Sequence, residues 1–262
     1  MGGLVVKVLA ALDQTAAASS VLAASHEIAR VFHADVAAVH VVQDGAERVR
    51  TLAAQEAVPL RELQGPPGSQ LARMLEDDDE AVALVVGTRA RAQGEREIGS
   101  TALEVVTTVH KPVFAIPPKL PAGFAVHRVL VPLEGSPSTS SAYPVVDTPE
   151  AERVDIVILH VLEEHMLPAF SDQPQYEWET FGREFVARYS PWPIERVRLE
   201  TRVGHPEQYI LPVARETKCD LIALAWEQEL APGRARIVRD TLRHGTIPIL
   251  LVPVKAEVVE AA

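Results

Sequence analysis

The stretch VVGTRARAQGEREIGSTALEVV, residues 85–106, ends one apolar run at Gly87 and opens another at Gly99-Ser100-Thr101. A glycine-rich approach to a helix start leaves backbone N–H groups unpaired beside the positive end of the helix dipole, and the Ser100 and Thr101 hydroxyls add donors. A phosphate can sit on such a start. Gly-Ser before an apolar run is equally an ordinary helix cap, so the loop reads either as a phosphate cradle or as a connection. Two further positions carry matching chemistry. Asp13 closes an apolar run and can accept hydrogen bonds from ribose hydroxyls, and the backbone at Val41 can pair with an adenine edge.

Other reactive residues give weaker patterns. The histidines form neither HxxxH nor HExxH, and His40 and His160 sit in apolar runs, which reads as core or strand-end packing. EDDDE at residues 76–80 reads as a solvated turn between a helix and a strand. The single cysteine, Cys219, precedes an apolar run and reads as a packed thiol that has no disulfide partner. Arg234 and Arg236 in PGRARIV can pair with an anion or answer the acidic excess at the surface. No Ser-His-Asp pattern, Walker lysine motif or catalytic carboxylate pair stands out. A non-enzymatic protein is expected, any ATP hydrolysis being slow.

The 36 acidic residues against 25 basic give a net charge of −11, which repels nucleic acid and anionic lipid. The N-terminal apolar run is too short to span a bilayer and shows no cleavage pattern, and Gly2 lacks the downstream Ser or Thr of a myristoylation signal. A cytoplasmic protein with neither membrane nor nucleic-acid partner is the expectation.

Positioning these residues requires a scaffold, and the 262-residue chain shows its plan twice. KVLAALDQ answers RVLVPLEG, AAVHVVQ answers VILHVLE, GPPGSQLARML answers GHPEQYILPVA, and PVFAIP answers PILLVP, all in the same order. A Pro/Gly-rich stretch at 117–127 reads as the linker, dividing the chain into domains at 1–118 and 127–256. Each copy alternates β-branched runs with helical patterns, which predicts an α/β fold of two tandem doubly wound, five-stranded parallel sheets. Strands are expected at 5–12, 35–42, 60–65, 81–87 and 112–116, then at 128–133, 155–161, 196–203, 220–225 and 248–254. Helices are expected at 15–32, 47–56, 68–75 and 99–109. Pro144 and Pro149 must shorten or break the helix after the sixth strand. The aromatic series Trp178, Phe181, Phe185 and Tyr189 predicts an amphipathic helix, and residues 163–176 before it read as a lid or a surface crossover. Ligands of such sheets bind beyond the strand C-termini where strand order reverses, where Asp13, Val41 and Gly87 would meet.

On these motifs the chain resembles the universal stress protein family in its tandem form, over both halves. Nucleotide-binding members carry Gly-x2-Gly-x9-Gly-Ser/Thr after the fourth strand and an Asp closing the first. The resemblance implies a Rossmann-like, adenine-nucleotide-hydrolase-like sandwich, a stress-linked role and dimeric packing. It further implies that the halves form an internal pseudo-dimer within a homodimer and that ATP or AMP is bound, as in some members, with no metal beyond nucleotide-bound magnesium. Residue by residue, Asp13 matches the ribose carboxylate, Val41 the adenine contact and Gly87 the first glycine. Ala90 stands in place of the second glycine, the loop is one residue short, and Gly99, Ser100 and Thr101 match the helix start. In the second half Glu134, Ala225, Trp226 and Arg236 replace the corresponding groups, which predicts a degenerate cradle there. The rival reading is a ligand-free scaffold acting through protein partners.

Overall fold

Ten strands form one sheet in a computed structural model that describes residues 6–43, 45–88, 98–134, 143, 148–162, 174–228 and 236–254; the side chains of 174–181 lie outside the description. The first half contributes β1 (Lys7–Ala11), β2 (Asp35–Val42), β3 (Leu60–Gln64), β4 (Ala81–Gly87) and β5 (Val113–Ile116). The second contributes β6 (Arg128–Pro132), β7 (Asp155–Leu162), β8 (Val197–Val203), β9 (Leu221–Trp226) and β10 (Ile249–Pro253). Their order is β3-β2-β1-β4-β5-β10-β9-β6-β7-β8. Each half is therefore an α/β unit with the same strand order. Every pairing is parallel except β5 with β10, which run antiparallel with Phe114 opposite Leu250. The halves share one sheet, joined edge to edge at this pair.

Near-continuous apolar strands such as AVALVVG in β4 are what a sheet covered on both faces requires. On one face lie α1 (Ala18–Phe32) and α2 (Glu47–Gln55); on the other lie α3 (Pro67–Asp77) and α4 (Ser100–Thr108). In the second half the first face carries α5 (Pro149–Glu152) and α6 (Pro174–Tyr189), and the second carries α7 (Pro206–Glu216) and α8 (Arg236–His244). Both cores run across the seam: Leu22 and Ile158 belong to one, Leu75 and Ile210 to the other. Full burial of one such side chain contributes about 1.5–3 kcal/mol.

α1 begins at Ala18 rather than at Thr15, for a local reason. Thr15 donates its N–H and hydroxyl to Asp13 Oδ1 at 3.0 and 2.6 Å, and Ala17 N–H donates to Thr15 Oγ1. That side-chain turn occupies the residues that periodicity assigns to the helix. At the other end His33, at φ 51°, adopts the left-handed conformation that closes α1. Between β6 and β7 the described helix is only four residues long and starts at Pro149, where Thr148 caps it by accepting from Ala151 N–H.

The acidic run is more than a solvated turn. Lys7 Nζ reaches Asp78 and Glu80 at 2.9 and 3.0 Å, tying the start of β1 to the approach to β4. Burial of Asp78 works against its charge, but the Lys7 ammonium prevails and holds its carboxyl below the usual carboxylate range. Cys219 is buried beside Thr217 Oγ1 at 3.1 Å, and burial pushes its thiol pKa up, as a packed thiol requires.

Candidate functional site

Strand order reverses between β1 and β4, and the crevice beyond their C-terminal ends is where doubly wound sheets hold ligands. A cavity of about 320 Å³ lies there, inside the range of small-molecule sites. Its lining includes Asp13, Val41, Gly87, Gly99, Ser100 and Thr101. Six of the seven sequence-predicted residues thus meet in one place; the seventh, Ala90, lies in segment 89–97, outside the described residues.

Each element delivers its residue by its own local logic. β1 hands the chain to Asp13, whose Oδ1 is fixed by Thr15, so the carboxylate is oriented before any ligand arrives. β2 runs on past β1: the ladder between them stops at Ala11 opposite Val39, with Leu12 N–H donating to Val39 O. At Val41 the backbone edge turned towards β1 has therefore outrun its partner strand. β4 ends at Gly87, paired with Ile116 on β5. Gly99 N–H then donates to Thr88 O at 2.8 Å, bringing the two ends of the intervening loop together.

Gly99 sits at the cap position of α4 with φ −59° and ψ 136°, and no side chain caps the helix. The N–H groups of Ser100, Thr101 and Ala102 have no carbonyl within the helix to reach, so they and the dipole make this end receptive to an anion. Among the described lining residues there is no Lys or Arg. Charge complementarity here comes from the backbone.

Gly87 plays a smaller part than its place in the motif implies. A Cβ built there would meet only Val21 Cγ2, at 3.6 Å, an ordinary contact. Neither packing nor backbone conformation demands glycine at that position.

A residue that the sequence pattern read as core or strand-end packing supports the site. His40 lines the cavity and its Nδ1 lies 2.8 Å from Leu12 O, with Nε2 3.1 Å from Gly45 O. It ties the exit of β1, immediately before Asp13, to β2. The second half repeats the device, with His160 Nδ1 2.9 Å from Leu133 O immediately before Glu134. Burial lowers the His160 pKa, although the bond to Leu133 O pulls the other way. The matched histidines had a sequence signal in the paired AAVHVVQ and VILHVLE.

Beyond that shared tether the second site diverges. Phe185 from α6 stacks on His160 with ring centroids 4.0 Å apart, and Tyr189 follows Phe185 at 5.1 Å. The Trp178 and Phe181 side chains of the same predicted stripe lie outside the described residues. Ala225 N–H, at the position matching Gly87, is taken by the Tyr143 hydroxyl at 3.0 Å. Trp226 is buried in the adjoining core. Arg236 occupies the first position of α8, as Ser100 does in α4, and pairs with Glu207 at 3.3 Å. Arg234 lies outside the described residues, as does the 163–173 part of the predicted lid or crossover.

Among the described residues no group of three or more His, Cys, Asp and Glu could hold a metal ion, and no helix is long and apolar enough to cross a membrane. The architecture defines a doubly wound α/β protein whose two halves each repeat the strand order of a nucleotide-cleft fold. Residues 125–253 match the model of the Universal stress protein family, and in this half the chain is similar to that family. In fold it is similar to a universal stress protein from Archaeoglobus fulgidus, at 15% identity and TM-score 0.68 over 94% of this chain and 98% of that one. It is similar also to a functionally unknown protein from Pseudomonas aeruginosa, at 10% identity and TM-score 0.69 over 95% and 93%. No curated protein matches the chain.

Proposed function

We propose that the protein is a non-enzymatic, tandem universal-stress-type protein that binds an adenine nucleotide, ATP or AMP, in its first half. The first domain spans 1–118 and the second 127–256; the second serves structure and partners, with the halves packed as an internal pseudo-dimer and a homodimer as the further assembly. Its role is a cytoplasmic response to stress, with neither nucleic acid nor membrane as partner. The observation that carries this reading is the convergence of Asp13, Val41 and the uncapped start of α4 on one cavity.

The groups present fit such a ligand. Asp13, with Oδ1 engaged by Thr15, offers Oδ2 to a ribose hydroxyl. The open backbone edge at Val41 suits the adenine. Ser100 and Thr101 supply N–H and hydroxyl donors to phosphate, and any metal would be magnesium carried by the nucleotide. Among the described lining residues Asp13 is given to the ribose and His40 is held between two carbonyls, which supports binding rather than turnover. Mass spectrometry of freshly purified, denatured protein tests this: a co-purifying adenine nucleotide supports it. Nucleotide-free protein that also fails to take up added ATP or AMP supports a ligand-free scaffold, for which the internally satisfied Gly99 N–H and Asp13 Oδ1 speak.

A further inference from the structure

At the seam between the halves, on the sheet face that carries α1, lies a second cavity of about 120 Å³. Val31 and Phe32 of α1 bound one side; Val129, Val131 and Ala223 line it from β6 and β9, and Trp192 from the loop before β8. On this face the first half lays the 15-residue α1, and the described helix that follows β6 has four residues.

The polar groups at its wall divide sharply. The Tyr143 hydroxyl is fully engaged, accepting from Ala225 N–H at 3.0 Å and donating to Ala223 O at 3.2 Å. Arg196 is not. Its Nη2 donates to Ala151 O and Val154 O at 2.5 and 3.2 Å, but its Nε is buried with no hydrogen-bond partner among the described residues. No carboxylate among them pairs with this guanidinium. A buried, unmatched N–H on a permanent cation is costly in an apolar surrounding, and a carboxylate is the acceptor whose geometry matches it.

We propose that this cavity binds a small carboxylate with an aromatic or branched aliphatic body, the body filling the apolar walls and the carboxylate accepting from Arg196 Nε. Apolar cavities of this order stay dry and take a molecule the size of one six-membered ring. A ligand here touches both halves at once, and so stabilises their arrangement by mass action. The site lies on the opposite sheet face from the nucleotide cavity and stands or falls independently of it.

Benzoate, with toluene as its uncharged counterpart, is titrated into the full-length protein by calorimetry and thermal shift. Wild-type protein is expected to bind one benzoate per chain at low-millimolar concentration or tighter, about what so few atoms allow. Arg196→Met lowers benzoate affinity about ten- to a hundredfold and leaves toluene unaffected, the size of a lost bond between charged groups. Val31→Phe fills the cavity from the half-exposed side of α1 and abolishes both ligands without lowering the melting temperature; it keeps the test alive if Arg196→Met fails to fold. Absence of saturable benzoate binding by the wild type, or wild-type benzoate affinity in either variant, overturns the assignment.

Discussion

Asp13 is held by its own turn, and that makes its role separable from its folding contribution. Asp13→Asn keeps an oxygen for Thr15 and replaces the other with an amide that cannot accept from a ribose hydroxyl. Nucleotide affinity should fall by about 0.5–3 kcal/mol with little change in melting temperature. Calorimetry with ATP and AMP checks it, and unchanged affinity removes Asp13 from the site. His160 contributes to the pH dependence of the second half. Burial lowers its folded-state pKa beneath the ordinary value of 6.5, so as pH falls from there the unfolded chain takes up the proton first. Its contribution is complete above about pH 6.5 and is lost as the pH drops towards the depressed value. Thermal melts between pH 7.5 and 5.5 should decline less steeply in His160→Gln than in the wild type; parallel slopes would refute this.

α4 brings its N-terminus to the cavity at the strand ends, and its other end is fastened by the opposite half. Gln228, at φ 61° just after β9, donates Nε2 to Val106 O and Val109 O at 3.1 and 2.5 Å. These are carbonyls at the end of α4 that no intrahelical donor reaches. Gln228→Ala should cost about 1 kcal/mol, read as a lower midpoint in urea unfolding; an unchanged midpoint would show that water serves equally well. All ten strands were legible in the sequence to within about two residues: the inner strands are apolar runs bounded by Gly, Pro and Asp, and the edge strands LRELQ and VRLETRV mix apolar with polar residues. The strand C-termini, and with them the meeting of Asp13, Val41 and the α4 start, followed from the same pattern. Hidden from it were contacts made by single side chains: the local Asp13–Thr15 turn that delays α1, and at longer range the His40 tether, Lys7 on Asp78, and Gln228 on α4. No periodicity encodes them. The edge-to-edge joining of the halves was equally hidden, since an apolar strand such as VFAI reads alike whether its neighbour is parallel or antiparallel.

At the scale of the whole molecule the two halves share a frame and differ in what fills it. Strand order and the histidine tether are common to both. The first half leaves a cavity at the strand ends. In the second, Phe185 covers His160, Tyr143 takes the Ala225 N–H, and Arg236 stands at the helix start. An arginine can replace lost backbone donors electrostatically, but it cannot free the Ala225 N–H that the Tyr143 hydroxyl holds. On the proposed reading the chain is asymmetric, with the nucleotide cradle in the first half alone. Equilibrium dialysis of nucleotide-stripped protein against ATP and AMP tests this most directly. One nucleotide per chain at saturation, lost in Gly99→Val, which sets a branched side chain at the α4 start, is the predicted result; two equivalent nucleotides per chain, or none, would contradict it.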